Sequence, residues 1–388
     1  MANIMANLKT FQPDYGIGMN EPLFCLRFHA KGLMVNACAH ALFFCKLLSA
    51  TRPKEEGCED EPAGSQACKD NQRLKIGIIG GGHLGKQLAR TLLHLGAISG
   101  KNIQISTRRP ETLLEFQKLG VGCVYNNKQL VGWADVVFLC CLPCHLPHIC
   151  SDVQASLKNS CIMYSLVTAI PLTRLKQLIS SCSILRPQYT FSDNSSFSMW
   201  EADRTVVEAL KDPAVIQATC PCSSKREIVV NMKWLAAVFY AALNSYSQQH
   251  LSYTRALELL NQVCFPEGNA TTPPPLLVCE NFINQAFASS LAADDSFPWF
   301  DITTVQLKDS PLSQLLETNK SLQEKTAAFY CNMVTALPTK SEDFTTSMTK
   351  KIPLSAVLLK PTKSLNFQMD GISTSKTEEA SSTDSEES

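Results

Sequence analysis

The chain has no excess of either charge: 35 Lys and Arg stand against 35 Asp and Glu in 388 residues. Zero net charge implies no basic face globally, so neither nucleic acid nor an anionic membrane surface is an expected partner. Charged residues are also sparse, 18% of the chain against 45% hydrophobic. That balance fits a soluble globular protein with a sizeable core. Long apolar runs are missing too. The most membrane-like segment, 32–50, carries Asn36, His40 and Lys46, and its unbroken apolar run is only Ala41–Cys45. A spanning helix needs about 20 such residues, so the segment is read as an amphipathic helix packed on the globular core. No secretory pattern opens the sequence. Its first 22 residues lack Arg and contain Asp14 and Glu21, which argues against a mitochondrial address.

Cysteine, by contrast, is abundant, with 17 residues. Many lie inside apolar runs such as Phe138-Leu139-Cys140-Cys141. A reduced, cytoplasmic set of mostly buried thiols is expected rather than a disulfide framework.

The most informative stretch is Lys75–Gly85. The apolar run Ile76–Ile79 reads as a buried strand and feeds into Gly80-x-Gly82-x-x-Gly85. A helix over 84–95 follows, with Leu88, Ala89, Leu92 and Leu93 on one side. Strand, glycine turn and helix in this order are the context that makes the pattern a dinucleotide site. Gly80 permits the tight turn, Gly82 lets the backbone approach a pyrophosphate, and Gly85 lets the helix pack closely on the strand. Gly81, His83 and Leu84 complete the turn, and the helix start favours the phosphates.

The alternation then continues. Strands are expected at 102–106, 122–125, 135–141, 160–166 and 182–186, and helices at 110–119, 127–133, 145–157 and 171–180. Strands alternating with helices predict an α/β fold with a Rossmann-type, doubly wound parallel sheet. Beyond about residue 192 the periodicity is helical, over 225–244, 251–265 and 276–291, with a loop at 266–275. A mainly helical C-terminal domain is therefore expected. The aromatic cluster Phe297-Pro298-Trp299-Phe300 reads as core packing. The predicted organisation is an N-terminal extension (1–72) ending in a flexible linker, a nucleotide-binding domain (73–190), a helical domain (191–340) and a low-order polar tail (341–388).

An acidic residue is absent where selection for NAD would place one, at the end of the second strand. There Ile103-Gln104-Ile105-Ser106 runs into Thr107-Arg108-Arg109. An arginine fork and a threonine hydroxyl suit a ribose 2′-phosphate, so the expected cofactor is NADP. These residues resemble the N-terminal domain of the pyrroline-5-carboxylate reductase family: KIGIIGGGHLG for the first turn, STRRPETL for the 2′-phosphate loop, and ADVVFLCCLP for the fourth strand and its turn. The resemblance implies that Asn127 lies near the adenosine ribose. It also implies that Cys141, Leu142 and Pro143 pass the nicotinamide ribose, with Leu142 standing where the family has Lys. Residues 165–169 match the segment beside the nicotinamide ring but lack its small-residue pair and glycine. A homo-oligomer formed through the helical domain is implied as well.

The resemblance weakens past residue 190. The family's Gly-Ser-Gly-Pro-Ala and Ser-Pro-Gly-Gly-Thr substrate motifs are missing, and 236–240 reads Ala-Ala-Val-Phe-Tyr at the first of those sites. No catalytic acid is named by the sequence; Lys233 and Tyr240, on the helix expected to line the cleft, are the candidates. Cys141-Leu142-Pro143-Cys144 is a C-x-x-C ahead of a helix, with His145, His148 and Cys150 after it. Its spacing fits no established zinc motif, and a cofactor contact is preferred to redox or metal chemistry. Two functions stay open. One is an NADP-dependent oxidoreductase moving hydride to or from a small imine or carbonyl compound, its substrate unnamed. The other is a catalytically inactive NADP-binding sensor or interaction protein.

Overall fold

A computed structural model describes residues 21–53, 73–180, 183–192, 198–200, 204–266 and 277–335. Most of the expected linker and the whole of the expected tail fall outside these residues. A 30-residue helix, α1 (Glu21–Ala50), precedes a six-stranded sheet. The strands are β1 (Ile76–Ile79), β2 (Ile103–Ser106), β3 (Gly122–Val124), β4 (Val136–Leu139), β5 (Ile162–Ser165) and β6 (Ile184–Leu185). All pair in parallel, in the order β3-β2-β1-β4-β5-β6. Ile78 faces Ile105 on one side and Phe138 on the other. This is the doubly wound order, with its reversal between β1 and β4.

The crossovers are α2 (His83–Leu95), α3 (Leu114–Lys118), α4 (Asn127–Trp133), α5 (Leu146–Val153) and α6 (Leu172–Ile179). They leave β1 and β4 buried on both faces, as parallel strands require. One face carries Ile79, Val137, Leu139, Met163 and Ile184 against α4, α5 and α6. The other carries Ile78, Ile105, Phe138, Tyr164 and Leu185 against α1, α2 and the C-terminal helices.

That second face departs from the expectation for the N-terminal segment. Far from being amphipathic, α1 is buried all round for two turns: Cys38, Ala39, His40, Ala41, Leu42, Phe43, Phe44 and Cys45 have no exposed surface. By length and composition Leu26–Ala50 is apolar enough to cross a membrane, yet 72% of its apolar 18-residue stretch is buried within the fold. A helix hydrophobic all round is a core helix when the rest of the chain surrounds it. Phe44 meets Tyr164 of the sheet at 5.4 Å, ring centroid to ring centroid.

The C-terminal half holds α7 (Val206–Ala209), α8 (Pro213–Thr219), α9 (Met232–Gln248), α10 (Tyr253–Cys264), α11 (Gln285–Ala288), α12 (Ile302–Leu307), α13 (Pro311–Thr318) and α14 (Lys320–Thr335). Asp212, Asn231, Ser252, Asp301 and Ser310 each accept a first-turn N–H at a helix start, satisfying donors the helix itself leaves unpaired. Two expectations fail here. The helix expected from 225 starts at 232, because Ile228–Val230 forms a strand, β8, antiparallel to β7 (Tyr189–Phe191). The helix expected over 276–291 is a single turn at Cys279–Asn281 followed by α11. Asn281 accepts the Val278 N–H and Asn284 accepts the Phe287 N–H. Two asparagines thus restart the backbone where one helix would have to continue. The aromatic cluster divides: Phe297 is buried and Phe300 packs on Tyr240 at 4.8 Å, while Trp299 is 43% exposed.

At the centre of this half, α1 delivers His40. Its Nε2 lies 2.8 Å from the Thr219 carbonyl and its Nδ1 3.0 Å from the Tyr189 hydroxyl. A carbonyl only accepts, so Nε2 carries the proton and Nδ1 takes one from Tyr189. Burial holds His40 neutral and pushes its pKa down to about 4. The unfolded chain protonates this histidine below about pH 6.5 while the folded chain does not. Stability is therefore complete above about pH 6.5 and is lost as pH falls toward 4, by about 3 kcal/mol in all. Denaturant unfolding at pH 7 and pH 5 should show the loss, and His40→Asn should flatten it. Equal pH slopes for the two proteins would rule this out.

Candidate functional site

The sequence places its glycines at the carboxyl end of β1, beside the point where strand order reverses. Gly80 sits at φ +111°, a left-handed conformation that side chains avoid, and a Cβ there would lie 2.6 Å from the Cys140 carbonyl oxygen. The turn thus presses against the end of β4, where the Cys140 N–H also donates to Ile79. A Cβ on Gly85 would come within 2.1 Å of the Gly80 carbonyl oxygen, so α2 can approach the turn only without one. A Cβ on Gly82 would meet nothing within 4 Å. Gly82 is also the N-cap of α2 and brings no side-chain oxygen to it. The result is a bare helix N-terminus facing open space, the arrangement that receives phosphate. His83 and Leu84 form the first turn of that helix and are half-buried.

The neighbouring loop closes the other side. A Cβ on Gly81 would lie 3.0 Å from that of Thr107. Thr107 is held by its N–H to Val124, and the Arg109 carbonyl accepts both the N–H and the hydroxyl of Thr112. Thr107, Arg108, Arg109 and Thr112 line one surface concavity. Both arginines are exposed, and neither has an ion-pair partner among the described residues. By contrast, Arg90 in α2 is spent on Glu115 at 2.5 Å and lies over the Phe116 ring. Asn127 is fixed by the Ser106 hydroxyl, which donates to its Oδ1 at 2.7 Å. The adjacent Asn126 is occupied in capping α4. All the residues singled out from the turn, the arginine loop and Asn127 therefore meet along one edge of the sheet.

Cys141, Leu142 and Pro143 form the turn after β4, with Leu142 62% exposed. Burial pushes the Cys141 thiol up to about 11, so at neutral pH it is a poor nucleophile and a poor metal ligand. Among the described residues no group of three or more His, Cys, Asp or Glu is placed to hold a metal ion.

Beyond β6 a cleft of about 250 Å³ opens between the sheet and the helical half. Its lining includes Arg186, Gln188, Asn231, Trp234, Gln306 and Leu307. Arg186 donates to the Thr168 carbonyl at 2.7 Å, which joins this cleft to segment 165–169. Its Nε is buried with no hydrogen-bond partner, and burial lowers its pKa. An unpartnered donor in a cleft is an anchor for an acceptor group on a ligand. Sequence reasoning passed over Arg186 and Gln188. The signal was an Arg immediately after a strand at the carboxyl edge of a parallel sheet.

Neither residue considered for proton transfer reaches the cleft in usable form. Tyr240 is buried, donates to the Phe282 carbonyl at 2.8 Å and has its pKa raised by burial to about 12. Lys233 pairs with Asp309 at 2.6 Å. Successive residues on α9 explain this: Trp234 faces the cleft, and Tyr240, nearly two turns on, points into the aromatic core.

Comparison with known proteins gives four results. The family described as NADP oxidoreductase, coenzyme F420-dependent, matches residues 75–165. NADP-dependent oxidoreductase domain-containing protein 1 of Mus musculus is 38% identical, over 85% of this chain and 93% of the mouse protein. Pyrroline-5-carboxylate reductase 3 of Danio rerio is 26% identical, over 32% of this chain and 42% of its own. Among solved structures, a pyrroline-5-carboxylate reductase from Coxiella burnetii covers 67% of this chain and 97% of its own, at 16% identity and a TM-score of 0.29.

Proposed function

Because the chain belongs to the family of NADP-dependent oxidoreductase domain-containing proteins, related to the pyrroline-5-carboxylate reductases, we propose that it binds NADP(H) in preference to NAD(H). We propose further that it moves hydride to or from a small imine or carbonyl compound. The carrying observation is the pairing of a bare helix N-terminus at Gly82 with two unpaired arginines one loop away. Gly80, Gly81, Gly82, His83, Leu84 and Gly85 would hold the pyrophosphate, Thr107, Arg108 and Arg109 the 2′-phosphate, and Asn127 the adenosine ribose. Cys141, Leu142 and Pro143 would flank the nicotinamide ribose. When bound, the cofactor would supply or accept the hydride.

The protein's own part is binding, orientation and exclusion of water. Arg186 offers its buried donor to an acceptor on the substrate, and Trp234 and Leu307 supply apolar wall. A reduced cytoplasmic setting and self-association through the helical half belong to the same reading.

A thermal-shift series tests it. NADPH at 100 times its dissociation constant stabilises by about 2.7 kcal/mol, a shift of a few degrees. Equal concentrations of NADH should give less. Arg108→Glu with Arg109→Glu should abolish the NADPH shift and leave the melting temperature without cofactor unchanged, because both side chains are exposed. A shift that survives the double variant would defeat the NADP assignment.

A second reading, that of a cofactor-binding sensor without turnover, is favoured by the fates of Tyr240 and Lys233. It is distinguished by an intact NADPH shift with no oxidation of NADPH across imines, ketones and aldehydes.

A further inference from the structure

Three cysteines gather in the helical half, apart from the cofactor residues. Cys220 ends α8 and is buried; Cys222, two residues on, and Cys331 of α14 are half-buried. All three are free thiols. The Cys220 Sγ lies 3.9 Å from the Ala327 carbonyl oxygen. Cys331 is four residues beyond Ala327, on the same face of α14 and one turn along. One residue back on each segment, the Tyr330 hydroxyl and Thr219 Oγ1 are 3.0 Å apart and lock the register. The Thr219–Tyr330 bond and the Cys220–Ala327 contact together set Cys220 and Cys331 side by side where α8 meets α14.

We propose that Cys220 and Cys331 form a peroxide-responsive pair, in which Cys331 is oxidised first and Cys220 closes a disulfide between α8 and α14. The two thiols are not equivalent. Cys331 keeps accessible surface while Cys220 is buried, and in the same sense the neighbouring Cys220 lowers the Cys331 thiol while Cys331 and burial push the Cys220 thiol up. An accessible low-pKa thiol beside a resolving thiol is the arrangement of redox-sensing cysteines.

In the first step the Cys331 thiolate attacks one oxygen of a hydroperoxide. The O–O bond breaks, an S–O bond forms, and two electrons pass from sulfur to the departing hydroxide or alkoxide. In the second step the Cys220 sulfur attacks the Cys331 sulfenic acid. The S–O bond breaks, the S–S bond forms, and the Cys220 proton leaves with the hydroxide as water. The reaction needs no cofactor and stands whether or not the hydride reaction does.

The full chain, reduced and then treated with hydrogen peroxide, is alkylated in denaturant and mapped by mass spectrometry. A Cys220–Cys331 linked peptide that disappears with dithiothreitol is expected. Cys222→Ser should keep it. Cys220→Ala should lose it and instead leave a sulfenic acid on Cys331 that a dimedone-type probe captures. The proposal is overturned if Cys331 stays reduced at peroxide levels that oxidise the exposed Cys144, or if it links to Cys222 as readily as to Cys220.

Discussion

A chain begun at Arg73, at the start of the nucleotide-binding half, should not fold. It lacks Val35, Leu42, Phe43, Phe44, Leu47 and Leu48, each at most 5% exposed in the intact protein. Burying one such side chain stabilises by about 2 kcal/mol, so the six together match a whole domain's stability margin of roughly 5–15 kcal/mol. The loss is more than additive bookkeeping. Without α1 the face of the sheet carrying Phe138 and Tyr164, and the inner faces of α2, α9 and α14, lie open to water. Expression of the truncated chain should give aggregate, and sedimentation of the soluble fraction checks it. A graded version uses Phe43→Ala, whose ring sits 5.0 Å from Tyr330 and 5.5 Å from Phe329. It should cost about 3–5 kcal/mol in denaturant unfolding. A folded, monodisperse truncation would show that α1 is dispensable.

The second large effect separates two glycines three residues apart. Gly85→Val places branched carbon 2.1 Å or closer to the Gly80 carbonyl oxygen, a backbone atom that cannot swing aside. Either α2 lifts from β1 or the turn opens, so the variant should unfold several degrees below the natural chain, with and without NADPH. Gly82→Val puts the same side chain into open space. Its melting temperature without cofactor should stay within a degree or two, since surface changes away from packing usually stay within about 0.5 kcal/mol. Its NADPH shift should vanish, because the branched side chain takes the room of the phosphates. Loss of the shift in Gly85→Val alone, with Gly82→Val binding normally, would move the phosphates off this turn.

How much of this was legible depended on how local the cause was. The sheet was readable because each strand is a short apolar run bounded by its own turn, and Gly80 and Gly85 sit where backbone geometry admits nothing else. The position of the arginine loop was readable for the same reason: Thr107, Arg108 and Arg109 follow a strand end directly in sequence. The role of α1 was not. Asn36, His40 and Lys46 look like a polar stripe, but their partners are remote. His40 bonds Tyr189 and Thr219, Lys46 bonds the Met333 carbonyl, and Asn36 turns back on the Gly32 carbonyl of its own helix. Polar residues that find buried partners imitate an exposed face. The β7–β8 ribbon was hidden likewise, since Ile228–Val230 continues smoothly into the apolar pattern of α9. Tyr240 failed as a proton donor because a helical position states which face a residue occupies and not whether that face is wet.

The Lys46 ammonium rests 2.8 Å from the Met333 carbonyl, a bond spanning 287 positions of chain. On the ribosome those two ends are separated by time as well as by sequence. At 5–20 residues per second, α1 waits roughly 15–60 s for α14 to be made. Over that interval the side of this apolar helix that faces α14 has no permanent surface to lie against. Its own polar groups, the amide of Asn36 turned back on Gly32 and the charge of Lys46, are what keep the nascent segment from behaving as a stretch of hydrocarbon.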